Sequence, residues 1–158
     1  MPWTALNVKA MAHQNTPKII YHADDDEDDR LLFLDALEDL SLPAVVQGAR
    51  DGQELLQTLD KNKGRLPDMI FLDINMPIKN GFDCLAEIRR REDALKEVRI
   101  IMLSTSNNAD NIELCHKLGA DFYAVKPSSF QGLKDLLQKV FEMDWSSFQK
   151  SGGRFLLV

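Results

Sequence analysis

The sequence predicts an α/β protein: a five-stranded parallel sheet, doubly wound, with helices on both faces. Two observations carry this reading. Between Lys18 and Met143, short apolar runs alternate five times with amphipathic stretches. The short runs are apolar throughout instead of alternating with polar residues. Strands of that kind are buried on both faces and belong to parallel sheets covered by crossover helices. Right-handed crossovers then bring every strand's carboxyl end to one edge.

Each element has its own signal. KIIYHA (18–23) is continuous, apolar and too short for a helix, so it reads as a strand. DEDDRLLFLDALEDL (26–40) places Leu31, Leu34, Leu37 and Leu40, with Phe33 and Ala36, on a helical stripe. The acids of its first turn suit the positive end of a helix dipole. AVVQGA (44–49) is the second strand, and DGQELLQTLDKNK (51–63) the second helix, with Asp51 as its cap. DMIFLD (68–73) and GFDCLAEIRRRED (81–93) form the third unit, RIIMLS (99–104) and NADNIELCHKLG (108–119) the fourth. Gly119 is a usual helix stop. DFYAVK (121–126) and SSFQGLKDLLQKVFEM (128–143) complete the fifth unit.

The domain is expected to span 17–143. Residues 1–16 carry no periodicity and are expected to form a flexible N-terminal extension. Residues 144–158 form a C-terminal tail with Trp145, Phe148 and an apolar FLLV end. Packing on the domain or disorder is expected for this tail, with a self-association strand or partner-docking segment as the alternative.

Composition narrows the function classes. The net charge is −6, from 19 basic and 25 acidic residues, and the run Asp24–Asp29 supplies the whole excess. The acidity is thus local, and no basic patch suggests nucleic acid. No apolar stretch approaches the ~20 residues of a membrane span, and no signal peptide is expected. Cys84 and Cys115 fall in helices without CxxC spacing, as buried free thiols of a cytoplasmic protein would.

Ligands of open parallel sheets bind beyond the strands' carboxyl ends, near the topological switch point. Strand one ends at Asp24 and Asp25, strand three at Asp73, strand four at Ser104 and strand five at Lys126. Three crowded carboxylates repel, and a hard divalent cation such as Mg²⁺ takes one or two carboxylates, waters and a phosphate. A carboxylate beside such an ion can attack a phosphoryl group and form an aspartyl phosphate. Asp26 to Asp29 are assigned to the following loop and first helical turn.

ADDD, FLDINMPIKNG, IIMLSTS and YAVKP, in this order, resemble the receiver domain of two-component response regulators, closest to the chemotaxis-type single-domain members. The resemblance spans about 18–142 and implies a flavodoxin-like (βα)5 fold with strand order 2-1-3-4-5. It implies Asp73 as phosphoacceptor, with Ser104 and Lys126 contacting the phosphoryl group. Asp24, Asp25, Asp73 and the Asn75 backbone carbonyl would hold Mg²⁺, or Mn²⁺ in its place. Tyr123 would be an aromatic switch that follows Ser104, and Lys126–Pro127 a cis peptide aiming the lysine. Gly81 is read as a permissive residue that relaxes the loop after Asp73.

Partners implied are a histidine kinase or phosphotransfer protein as donor, and a downstream protein bound by the fourth helix, fifth strand and fifth helix. A homodimer through that face or the tail is left open. Ser104 stands where Thr is more frequent, the 91–99 connection is long, and Asn75 and Ser106 flank the route of an attacking water. His22 is expected to pack at the sheet face. About 15 residues follow the last helix, so a DNA-binding output is not expected. Such a chain is a self-phosphorylating and self-dephosphorylating signalling domain at most, not an enzyme. The rivals are a Mg²⁺-dependent phosphohydrolase with an aspartyl-phosphate intermediate, which would want an acid where Asn75 stands, and a degenerate receiver used only for binding.

Overall fold

Strand β1 (Lys18–Ala23) opens the computed structural model, which describes residues 16–143 and 155–157. It is followed by α1 (Glu27–Asp39), β2 (Ala44–Ala49), α2 (Gly52–Lys61), β3 (Met69–Leu72) and α3 (Gly81–Arg89). A 3₁₀ turn (Ala94–Glu97) leads to β4 (Arg99–Ser104), α4 (Ala109–Leu118), β5 (Phe122–Val125) and α5 (Phe130–Glu142). A short strand β6 (Leu156–Leu157) completes the described chain. Apart from Thr16, the expected N-terminal extension lies outside the described residues, as does the tail between 144 and 154.

Each helix begins at a side chain that satisfies one of its orphan amides. Asp26 accepts from Asp29 N, Asp51 from Glu54 N, Asn80 from Asp83 N, Asn108 from Asp110 N and Ser129 from Gly132 N. Helix α4 stops at Gly119, whose φ of 100° is the left-handed conformation glycine takes without strain. Helix α3 ends at Arg89, four residues before its expected limit. Beyond it Arg91 reaches Asp60 and Asp93, and Asp93 caps the 3₁₀ turn, so the connection has partners of its own.

All pairings are parallel, in the order β2-β1-β3-β4-β5-β6. The expected five-strand order is present, and the sheet is larger than expected by one strand. The apolar end of the tail supplies it by pairing with β5. A two-residue strand is too short to leave a periodicity in sequence.

Two cores flank the sheet. One joins Leu55, Leu85, Ile88 and Cys115 from α2, α3 and α4 to Ile70, Ile100 and Tyr123. The other joins Phe33 and Leu37 of α1 and Leu137 and Val140 of α5 to Ile20, Phe71 and Phe122. The stripe of α1 is narrower than expected: Phe33, Ala36 and Leu37 are buried, whereas Leu31 and Leu34 are 51% and 43% exposed. Phe33, Ala36, Leu37 and Leu40 follow the i, i+3, i+4, i+7 spacing of a single face, and Leu31 and Leu34 fall outside it. Both cysteines are buried, and burial pushes each thiol up to about 12, so they are inert packing residues. No described helix is long and apolar enough to cross a membrane.

The two leucine classes of α1 separate in stability. Leu37→Ala is expected to cost ~2–5 kcal/mol in urea unfolding and Leu31→Ala less than ~0.5 kcal/mol. Equal costs would contradict the assignment of faces.

Candidate functional site

The chain leaves β1 toward β2 on one side and then returns to β3 on the other, so β1 and β3 flank the topological switch point. The sheet ladder itself delivers the acids there. Asp24 N donates to Ala49 O and Asp73 N to Ala23 O, both at 3.0 Å, so both residues continue the hydrogen-bonded strands. Both side chains are buried, whereas Asp25 is exposed. Carboxylate oxygens of Asp24, Asp25 and Asp73 lie within 4.8 Å of one another.

Lys126, just beyond β5, supplies the counter-charge. Its Nζ donates to Asp24 Oδ2 at 2.7 Å, to Asp29 Oδ2 at 2.9 Å and to Asp73 Oδ2 at 3.3 Å. Burial pulls its pKa down, but the bonds to Asp24 and Asp29 and the charge of Asp73 outweigh that and leave it raised. Asp24 Oδ1 accepts from Asp26 N, and the Asp24 carbonyl accepts from Arg30. Asp73 Oδ1 accepts from Ile74 N at 2.8 Å. Burial raises the Asp73 pKa to about 6, and the charge of Asp24 pushes the same way against the pull of Lys126.

Two sequence expectations change here. Among the described residues no peptide bond is cis, so Lys126–Pro127 is trans. The trans form is favoured by ~0.5–1 kcal/mol even before proline, and Lys126 reaches all three acids in it. Asp29 belongs to the pocket as well as to the first turn of α1, because it shares the Lys126 ammonium. An acid in a first turn looks like a dipole residue in sequence, and only the fold shows which first turn faces a lysine.

Ser104 ends β4, fully buried, and its Oγ accepts from Ser106 N at 3.2 Å. Tyr123 is fully buried, and its hydroxyl donates to Ser106 O at 2.7 Å. Ser106 Oγ in turn accepts from Asn108 N and Asn111 Nδ2. Asn75 lies exposed on the loop after β3. That loop is closed by Gly81 N donating to Ile74 O at 2.8 Å. A Cβ on Gly81 would stand 2.2 Å from Asp73 O, so close approach, and not a positive φ, requires glycine there. Ile78, 74% exposed, takes φ of 69° in the same loop, a strained choice for a β-branched residue that its sequence does not announce.

His22 packs as expected. Its ring stacks on Phe33 with centroids 4.0 Å apart, and burial lowers its pKa to about 3. The 4.0 Å approach of its Nε2 to Asp24 is therefore a contact of a neutral ring and not an ion pair.

The donor set fits a hard divalent cation. Three carboxylates converge from two neighbouring strand ends, one of them solvent-accessible, which leaves room for the waters such ions retain.

Comparison with known proteins agrees with this geometry. The family model of the response regulator receiver domain matches residues 20–138. Response regulator Rcp1 of Synechocystis sp. is 32% identical over 131 residues, covering 80% of this chain and 86% of its own. The phosphorylated cyanobacterial phytochrome response regulator RcpA superposes with a TM-score of 0.73 at 33% identity, covering 83% of this chain and 95% of that one. The Mn(2+)-bound form of Rcp1 gives 0.72 at 26%, over 84% and 98%.

The buried Asp73 carboxyl sets a pH dependence. Folding favours protonated Asp73, so its stabilising contribution is complete below pH ~4 and is lost as the pH rises through about 6. In metal-free buffer Asp73→Asn is expected to be more stable than the parent by ~1–3 kcal/mol at pH 7.5. The gain should fall away at pH 4. Urea unfolding at the two pH values checks this, and a gain independent of pH would contradict it.

Proposed function

The chain belongs to the response regulator receiver domain family, and from that premise we propose that it is a phosphorylation-activated switch of a two-component or phosphorelay system. The observation that carries this reading is the cluster itself: Asp24, Asp25 and Asp73 within 4.8 Å at one edge of a parallel sheet, with Lys126 bridging Asp24 and Asp73.

In this reading a carboxylate oxygen of Asp73 attacks the phosphorus of a phosphohistidine on a histidine kinase or phosphotransfer protein. The O–P bond forms as the P–N bond breaks, and the imidazole leaves with the electron pair and takes up a proton. Lys126 holds positive charge beside the phosphoryl oxygens as they arrive. Asp24 and Asp25, with Asp73 and the Asn75 carbonyl, would hold Mg²⁺ or Mn²⁺, and the chemistry such an ion would supply there is neutralisation of the charge on the phosphoryl oxygens. The Mn(2+)-bound relative and the phosphorylated relative support both parts of this assignment. Ser104 turns its hydroxyl to the attached group, and Tyr123 follows through Ser106. The altered face of α4, β5 and α5 then binds a downstream protein. The setting is cytoplasmic, and the phosphoryl transfer is to the chain itself, which makes it a signalling domain and not a turnover enzyme.

Incubation with Mg²⁺ and acetyl phosphate is expected to add one hydroxylamine-labile phosphoryl group, read by intact mass. Asp73→Asn should abolish it, and Lys126→Ala should slow it by on the order of 10²-fold or more. Labelling that survives Asp73→Asn would sink the assignment. Steady release of phosphate from many esters would favour a hydrolase instead. Asp24→Asn and Asp25→Asn are each expected to weaken Mg²⁺ binding by ~10-fold or more, measured by fluorescence titration.

A further inference from the structure

The edge of β5 carries a feature that the acid pocket does not use. Strand β6 runs parallel to β5, with Tyr123 opposite Leu156 and Ala124 opposite Leu157. Tyr123 donates its main-chain N–H to Phe155 O at 3.0 Å. The Phe155 ring lies against His116 of α4, centroids 4.5 Å apart. Phe155 and Leu156 pack on the core beneath α2, α3 and α4, while Leu157 is buried in the core beneath α1 and α5. Three residues thus straddle the sheet edge and reach both cores.

Without them, β5 would present a row of free N–H and C=O groups, the template to which an extended segment adds. The path from β5 through α5 to β6 is a strand–helix–strand crossover, the connection that parallel neighbours in one chain require. A segment tethered in this way meets its edge at an effective concentration on the order of millimolar. The cover is nevertheless thin. β5 makes four register pairs with β4 and two with β6. Val125 stays 37% exposed, and a cleft of about 410 Å³ lined in part by Val125, Leu136, Lys139 and Leu157 remains open beside the strand.

We propose that Phe155–Leu157 is a releasable strand capping β5 of its own chain, on a surface that fits an extended apolar segment in parallel register. A partner that docks there by strand addition must first displace it. What this does to signalling rests on the proposed reading of α4, β5 and α5 as the output face; the cap itself needs no phosphorylation. Because the strand bonds Tyr123 directly, its hold and the setting of that tyrosine are mechanically joined.

The test uses a fluorescent peptide of residues 152–158, GGRFLLV, without phosphodonor or metal. A chain ending at Arg154 is expected to bind the peptide, and the full chain to bind it at least ~10-fold more weakly. A peptide carrying Leu157→Asp should bind neither. Amide exchange at Tyr123 should be protected in the full chain and fast in the shortened one until peptide is added. Equal affinity for both chains, or no binding by a folded shortened chain, overturns the proposal. A full chain that is a dimer and becomes a monomer on shortening overturns it too, because the strand then comes from a second copy. If the shortened chain does not fold, the full-length Leu157→Asp variant takes its place, and failure of that variant to bind the parent peptide is likewise contrary.

Discussion

How one ammonium divides itself among three carboxylates governs the acidic edge of this protein. Buried acids stay ionised only beside a compensating charge, and Lys126 is that charge. It sits closer to Asp24 and Asp29, at 2.7 and 2.9 Å, than to Asp73, at 3.3 Å. The uneven sharing matters chemically. Asp24 is firmly engaged through Oδ2 by Lys126 and through Oδ1 by Asp26 N. Asp73 Oδ2 has the weakest hold on the lysine, and burial keeps its pKa at about 6. A carboxylate with that pKa is largely ionised at neutral pH yet more basic than an ordinary carboxylate.

The opposite edge of the sheet shows the same chemistry put to structural use. Asp121, at the start of β5, accepts from Arg89 at 3.0 Å and from Ile100 N at 2.8 Å. Arg89 also donates to the carbonyls of Gly119, Lys96 and Val98. That fork ties α3, the loop before β4 and the end of α4 to one another. Arg89 and Asp121 are each held by main-chain groups as well as by one another, which is how a buried ion pair offsets its desolvation. At the carboxyl edge one acid, Asp25, faces solvent, and one lysine is shared among three carboxylates.

The strand ends were readable because apolar runs stop abruptly, and each stop left a chemical residue at a known edge: Asp24, Asp73, Ser104, Lys126. The helix caps Asp51 and Gly119 were readable for the same local reason. What sequence hid was non-local. Asp29 looks like any first-turn acid until α1 is laid beside Lys126. The sequence reads Leu31 and Leu34 into the stripe of α1 with Phe33 and Ala36, but the face that packs on β1, β3 and α5 holds the i, i+3, i+4, i+7 set Phe33, Ala36, Leu37 and Leu40, and the two leucines point outward. Gly81 looked permissive for its backbone angles, but its role is to let the chain pass within contact of the Asp73 carbonyl. The trans Lys126–Pro127 bond leaves no pattern in sequence, and the apolar FLLV end marked the tail as able to pack without marking β5 as its partner.

Between the pocket and the outer edge lies a short bonded path. Ser106 N donates to Ser104 Oγ, Ser106 O accepts from Tyr123 OH, and Tyr123 N donates to Phe155 O. Ser106 therefore joins the two, because one residue bonds both the hydroxyl at the acid edge and the phenol on β5. Its own hydroxyl accepts from Asn108 N and Asn111 Nδ2, which ties it to the first turn of α4. A Ser104 hydroxyl redirected to a new group on Asp73 would loosen one of these bonds, and the remainder would redistribute along the path. Coupling of that kind needs no displaced strand in the sheet. It needs only that the bonds at Ser106 be shared, and they are: the Tyr123 hydroxyl bond is short at 2.7 Å, and those to Ser104, Asn108 and Asn111 are longer, at 3.1 to 3.2 Å.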